Sequence, residues 1–161
     1  MLEIRNATDA DFNLLREMFL EEVENHIERA KTFADDLIHR FKTILALQED
    51  RLVGSITWDT RGGYDDGVVE LVSIGVNSSF QRQGIATKLV HTFIDEASEF
   101  YRSRGYDLKV ILLFMERQNE VARKFYSSLG FYEEATLLKL YPHDDGVIWT
   151  RHLQATRVLG R

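Results

Sequence analysis

One segment restricts this chain more than any other. Residues 68–76 are rich in β-branched side chains, and residues 77–83 (Asn-Ser-Ser-Phe-Gln-Arg-Gln) form a short polar turn. Gly84 then opens a stretch to Arg104 in which Ile85, Leu89, Phe93 and Ala97 recur at four-residue spacing, with Ala86, Val90, Ile94 and Tyr101 beside them. A strand passing through a tight turn into a broad apolar helical stripe is a strand-turn-helix unit. The N-terminus of such a helix presents unpaired backbone N–H groups and the positive end of the macrodipole, so the junction is an anion site suited to a diphosphate. Gly84 has no side chain and Ala86 only a methyl, which leaves the main chain open to a bulky ligand, and Arg82 adds a fixed charge.

The rest of the chain supplies the partners of that unit. Leu2 and Ile4 alternate in a short opening strand, and Leu14, Leu15, Met18, Val23 and Ile27 predict a helix from Asp11 to about Lys31, capped by Asp9 or Asp11. A second helical piece is expected over 33–41. The period then changes: residues 43–48 and 52–58 read as two strands joined by Glu49-Asp50-Arg51, and residues 60–67 as a loop. Gly105 ends the long helix, and the apolar run 108–114 suits a strand covered on both faces. Asn119 caps a helix with Val121, Ala122, Phe125, Tyr126 and Leu129 on one side, stopped by Gly130. Two final strands are expected near 132–140 and 147–153, separated by a turn at 142–146. The order implies an α/β (α+β) fold, a mixed central sheet flanked by helices.

Composition excludes several classes. At 161 residues, with no repeat, no linker and a single proline at Pro142, one domain spanning 1–161 is expected. The absence of cysteine removes disulfides, thiolate metal sites and cysteine nucleophiles. Neither a basic, apolar leader nor a membrane-spanning stretch is present, so the expected location is cytoplasmic, with no membrane partner. The net charge of −6 sits wholly in residues 1–50, which hold 12 acidic and 6 basic side chains against 14 of each in residues 51–161. That disfavours nucleic acid and favours a cationic partner. Glu17, Glu21, Glu22, Glu24 and Glu28 read equally as the solvated face of a helix.

The segment Gln81-Arg82-Gln83-Gly84-Ile85-Ala86 matches the acetyl-CoA motif Gln/Arg-x-x-Gly-x-Gly/Ala, and here the chain resembles the GNAT acyltransferase family. A second match follows at Asn119-x-x-Ala122-x-x-x-Tyr126-x-x-x-Gly130-Phe131, in the right order and at typical spacing. The resemblance covers residues 43–135 most closely. It implies a GNAT fold whose central parallel strands splay apart, acetyl-CoA as acyl donor, and transfer to a primary amine by direct attack in a ternary complex. It places the CoA pyrophosphate on the main chain of Gln81, Arg82, Gln83, Gly84, Ile85, Ala86 and Thr87, pantetheine against Ile74, Val76 and Asn119, and the Tyr126 hydroxyl near the thioester sulfur. A homodimer, common in the family, also enters as an expectation.

Amine attack on a thioester requires a neutral amine, a stabilised oxyanion and provision for the leaving thiolate. Tyr126 is the proton donor such a site calls for, and a backbone N–H near Val76 suits the oxyanion. Spacing alone also fits Tyr126 as core packing and Asn119 as a cap. Glu70, six residues before Val76, is the candidate base; strand alternation puts it on the face of Val72, Ile74 and Val76 unless a bulge at Gly75 shifts the phase, and a solvent-facing Glu70 is the other reading. Gly75 marks either that bulge or tight packing. His26, His39, His91, His143 and His152 show no metal-ligand spacing, and no metal is expected. His143, beside Asp144 and Asp145, lies in the hairpin that the resemblance places at the acceptor pocket. The acceptor, a cationic small molecule or a peptide amine, is not identified. The rival reading is a catalytically weak acyl-CoA-binding sensor or interaction module.

Overall fold

The computed structural model describes residues 1–153. Seven strands, β1 (Leu2–Asn6), β2 (Lys42–Gln48), β3 (Arg51–Arg61), β4 (Val68–Val76), β5 (Val110–Glu116), β6 (Tyr132–Tyr141) and β7 (Asp144–His152), follow the order β1-β2-β3-β4-β5-β7-β6 in one mixed sheet. The helices are α1 (Phe12–Glu22), α2 (Ile27–Asp35), α3 (Ile85–Arg102) and α4 (Glu120–Ser128). This is the mixed α/β architecture that the element order implied. The described chain divides into two compact units, Met1–Asp59 with Ser73–Asp95, and Thr60–Val72 with the residues from Glu96 onward.

In the first unit β1, β2 and β3 pair antiparallel, and the β2–β3 turn places Glu49 and Asp50 in the left-handed region (φ 51° and 66°). Leu15, Ala34, Leu37, Leu45, Leu47 and Leu52 form a core beneath α1 and α2. On the first half of α3, Leu89, Val90 and Phe93 are fully buried, and Phe93 meets Trp58 at 5.7 Å between ring centroids.

The helical reading of residues 11–41 needs correction. The expected continuous helix is two: Val23 and Glu24 both donate their N–H to the Phe19 carbonyl, and His26, in extended conformation, starts α2 by accepting from the Arg29 N–H through Nδ1. Val23 and Ile27 are therefore solvent-exposed, not part of the core stripe. Residues 36–40 form a π-helical turn. Asp11 is buried but does not cap α1; its carboxylate accepts two bonds from Arg5 (2.9 Å each) and one from the Thr8 N–H (2.7 Å).

In the second unit the parallel register of β4 and β5 runs Val68↔Val110, Val69↔Ile111 and Glu70↔Leu112, then ends, although each strand continues for several residues. β7 pairs antiparallel with both β5 and β6. Tyr101 anchors the end of α3 by donating its hydroxyl to the Val68 carbonyl (3.0 Å). β5 is not covered on both faces: Ile111, Leu113 and Met115 are buried, whereas Phe114 is 41% exposed. On α4, Tyr126 is buried and Val121 points to solvent, so the expected apolar side is narrower by one residue.

Candidate active site

The site residues fall into two groups, one in each unit. In the first, Ile74, Val76 and residues 81–87 lie along the end of β4, the following turn and the start of α3. Asn77 opens the turn: its side chain accepts from the Ser79 N–H (2.9 Å) and its own N–H donates to the Val53 carbonyl (2.7 Å). The Gln81 amide donates to the Val76 carbonyl (3.2 Å), so this side chain braces the turn. Glu22, at the end of α1, accepts from the Ser78 N–H (3.2 Å), a contact that no pattern in the sequence announced. Gln81, Arg82, Gln83 and Gly84 are exposed.

Arg82 and Gly84 both adopt left-handed backbone (φ 66° and 78°), flanking Gln83. A side chain strains that conformation, which explains glycine at 84, and a Cβ placed there would meet nothing within 4 Å. The requirement is thus conformational, and the space beside the main chain is open. The bond from Lys88 N–H to the Gly84 carbonyl (3.1 Å) closes the first turn of α3, so the N–H groups of Ile85, Ala86 and Thr87 precede any intrahelical bond. Buried Ile85 seats that turn. Such amides stabilise an anion by direct donation and by the helix field.

Gly75 behaves otherwise. A Cβ there would meet nothing within 4 Å, so packing does not require it; the close approach is at Gly54, where a Cβ would stand 3.0 Å from the Gly75 carbonyl oxygen. On β4 Val69 and Leu71 are buried whereas Ser73 and Gly75 are exposed, with the even-numbered residues intermediate throughout, so the sense of the alternation reverses between Leu71 and Ser73 and burial does not fix Glu70 in phase with Ile74 and Val76.

The second group comprises Glu70, Asn119 and Tyr126. Asn119 caps α4, accepting from the Ala122 N–H (3.1 Å), as its position predicted. Tyr126, about two turns along, is enclosed by Phe125 (5.1 Å) and Phe131 (5.5 Å). Burial disfavours the phenolate and pushes this hydroxyl up to about 12, so Tyr126 is a neutral donor at any physiological pH. Glu70 is neither free nor fully solvated: its side chain is 17% exposed and its Oε1 lies 2.5 Å from the Arg61 guanidinium. The sequence did not name Arg61, although the hairpin through residues 62–67 makes it a near neighbour of Glu70 on the adjoining strand. His143 Nε2 meets Glu116 Oε2 at 2.6 Å. Among the described residues no group of three or more His, Cys, Asp or Glu is placed to hold a metal, and no helix is long and apolar enough to cross a membrane.

The Acetyltransferase (GNAT) family model matches residues 7–131, which include the Gln81–Ala86 turn, Asn119 and Tyr126. The chain belongs to this family. The match includes residues of both compact units. The chain is 25% identical over 144 residues to the ribosomal protein bS18-alanine N-acetyltransferase of Haemophilus ducreyi, covering 89% of this chain and 91% of that one. It is 31% identical over 102 residues to N-alpha-acetyltransferase 30 of Schizosaccharomyces pombe, covering 62% and 63%. The crystal structure of the ribosomal-protein-S18-alanine N-acetyltransferase from Escherichia coli superposes with a TM-score of 0.75 at 21% identity, over 98% of this chain and 99% of that one. Membership makes this chain an acetyl-CoA-dependent N-acetyltransferase.

Proposed function

We propose that this GNAT enzyme acetylates the α-amine of a polypeptide N-terminus by direct attack of that amine on acetyl-CoA in a ternary complex. The observation that carries the donor side is the turn at Arg82–Gly84, where left-handed backbone and open space coincide with the start of α3, whose Ile85–Thr87 N–H groups precede the first intrahelical bond. Those amides hold the diphosphate, with Arg82 adding charge, while Ile74, Val76 and Asn119 meet the pantetheine arm. The acceptor class draws its support from the relatives, whose names specify a ribosomal-protein alanine and an N-alpha amine.

In this reading the neutral amine nitrogen bonds to the thioester carbon, the carbonyl oxygen becomes an oxyanion held by the N–H near Val76, and collapse breaks the carbon–sulfur bond. The departing thiolate takes the Tyr126 proton, which the phenol retains because burial keeps it neutral, and the phenolate is then reprotonated from solvent. The proton lost from nitrogen passes to Glu70 through water. Arg61 holds the Glu70 carboxylate in place, which favours relay through water over direct contact.

The test is release of CoA thiol from acetyl-CoA with N-terminally free peptides, in parent and Tyr126→Phe enzyme. Turnover that falls in the variant, with acetyl-CoA affinity retained, supports the assignment. Tight acetyl-CoA binding with no transfer to any peptide would instead mark an acyl-CoA-binding module.

A further inference from the structure

The main chain at the end of β4 has a direction that its contacts with β3 reveal. A Cβ on Gly54 would stand 3.0 Å from the Gly75 carbonyl oxygen, so that carbonyl lies against β3. The Asn77 N–H donates to the Val53 carbonyl (2.7 Å) and points at β3 as well. In a trans peptide, as these are, the N–H lies opposite the C=O. The Val76 N–H shares a peptide with the Gly75 carbonyl, and the Val76 carbonyl shares one with the Asn77 N–H. Both polar groups of Val76 therefore point away from β3. Gln81 takes one of them, its side-chain amide donating to the Val76 carbonyl (3.2 Å). The other is the N–H suited to the oxyanion.

The orientation of that N–H depends on what holds the chain on either side of it. Gly75 has no side chain, and nothing lies within 4 Å of where one would stand, so on the N-terminal side neither a Cβ nor its packing restricts the backbone. On the C-terminal side the planar Val76–Asn77 peptide is held at both ends, by Gln81 at its oxygen and by Val53 at its nitrogen. Val76 is β-branched, favours extended backbone and carries that orientation to its own N–H. A donor aimed at developing charge is effective when its direction is fixed before the reaction begins. Without Gln81, the peptide next to that donor would be held at one end only.

We propose that the Gln81 side chain is a positioning group: by tying the Val76 carbonyl it holds the Val76 N–H on the carbonyl oxygen of the bound thioester. This rests on the assignment of the oxyanion to that N–H and adds the residue that sets its geometry. The Gln81 side chain touches no reacting atom, and acetyl-CoA affinity does not depend on it.

The test pairs Gln81→Met, which keeps the length of the side chain and removes the donor, with Gln81→Arg, which restores one. Infrared difference spectra of acetyl-CoA isotope-labelled at the acetyl carbonyl, bound to each protein without acceptor, read the polarisation of the thioester directly. The carbonyl band should lie below that of free acetyl-CoA in the parent, move back towards it in Gln81→Met, and return to the parent position in Gln81→Arg. With an N-terminally free peptide, kcat should fall about tenfold in Gln81→Met, part of the hundredfold or more that follows outright removal of an oxyanion donor, and recover in Gln81→Arg. Acetyl-CoA affinity in calorimetric titration should be the same in Gln81→Met as in the parent. The side chain is exposed, and an unchanged thermal midpoint confirms that the variants fold. Weakened acetyl-CoA affinity with kcat unmoved would make this side chain a cofactor ligand and overturn the proposal, as would a band that does not move in Gln81→Met. A parent band no lower than that of free acetyl-CoA would overturn the oxyanion assignment and the proposal together. The band is read without acceptor, so failure to transfer to any peptide would sink the α-amine reading alone and the band would still decide the role of Gln81.

Discussion

The turn at Gln81–Gly84 and the helix α4 carry the two best-marked parts of the site, and they are built from different materials. At the turn the proposed working groups are main-chain N–H donors, and the side chains serve conformation: Gln81 braces the Val76 carbonyl and Gly84 supplies left-handed backbone. On α4 the proposed working groups are side chains, and the main chain presents them, with Asn119 capping the helix and Phe125 and Phe131 enclosing the Tyr126 ring. A site made of backbone fails when the chain cannot adopt its shape. A site made of side chains fails when one functional group is removed and the shape is kept.

That contrast is broken or sharpened most directly by Gly84→Glu. A non-glycine residue at φ 78° costs about 1–2 kcal/mol, and the carboxylate stands where a diphosphate is to bind. Acetyl-CoA affinity should fall about a hundredfold or more in calorimetric titration, since a 2.7 kcal/mol loss is about that factor. Retained affinity would show that the turn is not the anion site. Next in size, Tyr126→Phe keeps the ring packing and should lower kcat by about a hundredfold, the usual loss on removing a general acid, with acetyl-CoA binding unchanged. Because burial holds the Tyr126 hydroxyl at about 12, parent kcat should show no alkaline fall from its ionisation between about pH 8 and 10; a fall there that Tyr126→Phe removes would contradict the assignment.

A smaller effect tests the link between β1 and the start of α1. Hydrogen bonding from Arg5 holds the buried Asp11 carboxyl below the usual carboxylate range. A depressed folded-state value stabilises the protein above the unfolded value of about 3.9, and the contribution is lost as pH falls through the folded one. Asp11→Asn should therefore cost about 1–2 kcal/mol at neutral pH, discounted because Arg5 is about a third exposed, and the variant should lose less stability on acidification than the parent. Chemical denaturation across pH measures both. Smallest of all, Gly75→Ala should leave the unfolding midpoint within about 0.5 kcal/mol, because the added methyl meets nothing, whereas Gly54→Ala presses on the Gly75 carbonyl and should destabilise more.

The two parts also differed in how they could be read. The turn was legible because left-handed backbone needs glycine and a helix needs a start, so strand, polar turn, Gly84 and apolar stripe appear in order along the chain. Asn119 was legible for a related reason, since a helix cap is a local event. Tyr126 could be placed on its helix by spacing, but its role as proton donor came from the family resemblance, because burial, which sets its protonation, depends on Phe125, Phe131 and the rest of the packing. The break between α1 and α2 escaped notice because His26 is an unusual cap within a stretch whose apolar spacing runs on regardless.

Local chemistry thus determined from sequence alone that this chain makes a mixed α/β fold with a strand-turn-helix junction at residues 68–102, and that Gly84 and Asn119 stand where the backbone needs them. The tertiary structure decided what depends on strand register and packing. It paired Glu70 with Arg61, set Glu116 beside His143, bound Glu22 to the Ser78 amide and left one face of β5 open at Phe114. The physical reason is range: turns, caps and helix starts are fixed by residues within a few positions of one another, whereas burial, ion pairing and sheet faces are fixed by residues that only folding brings together.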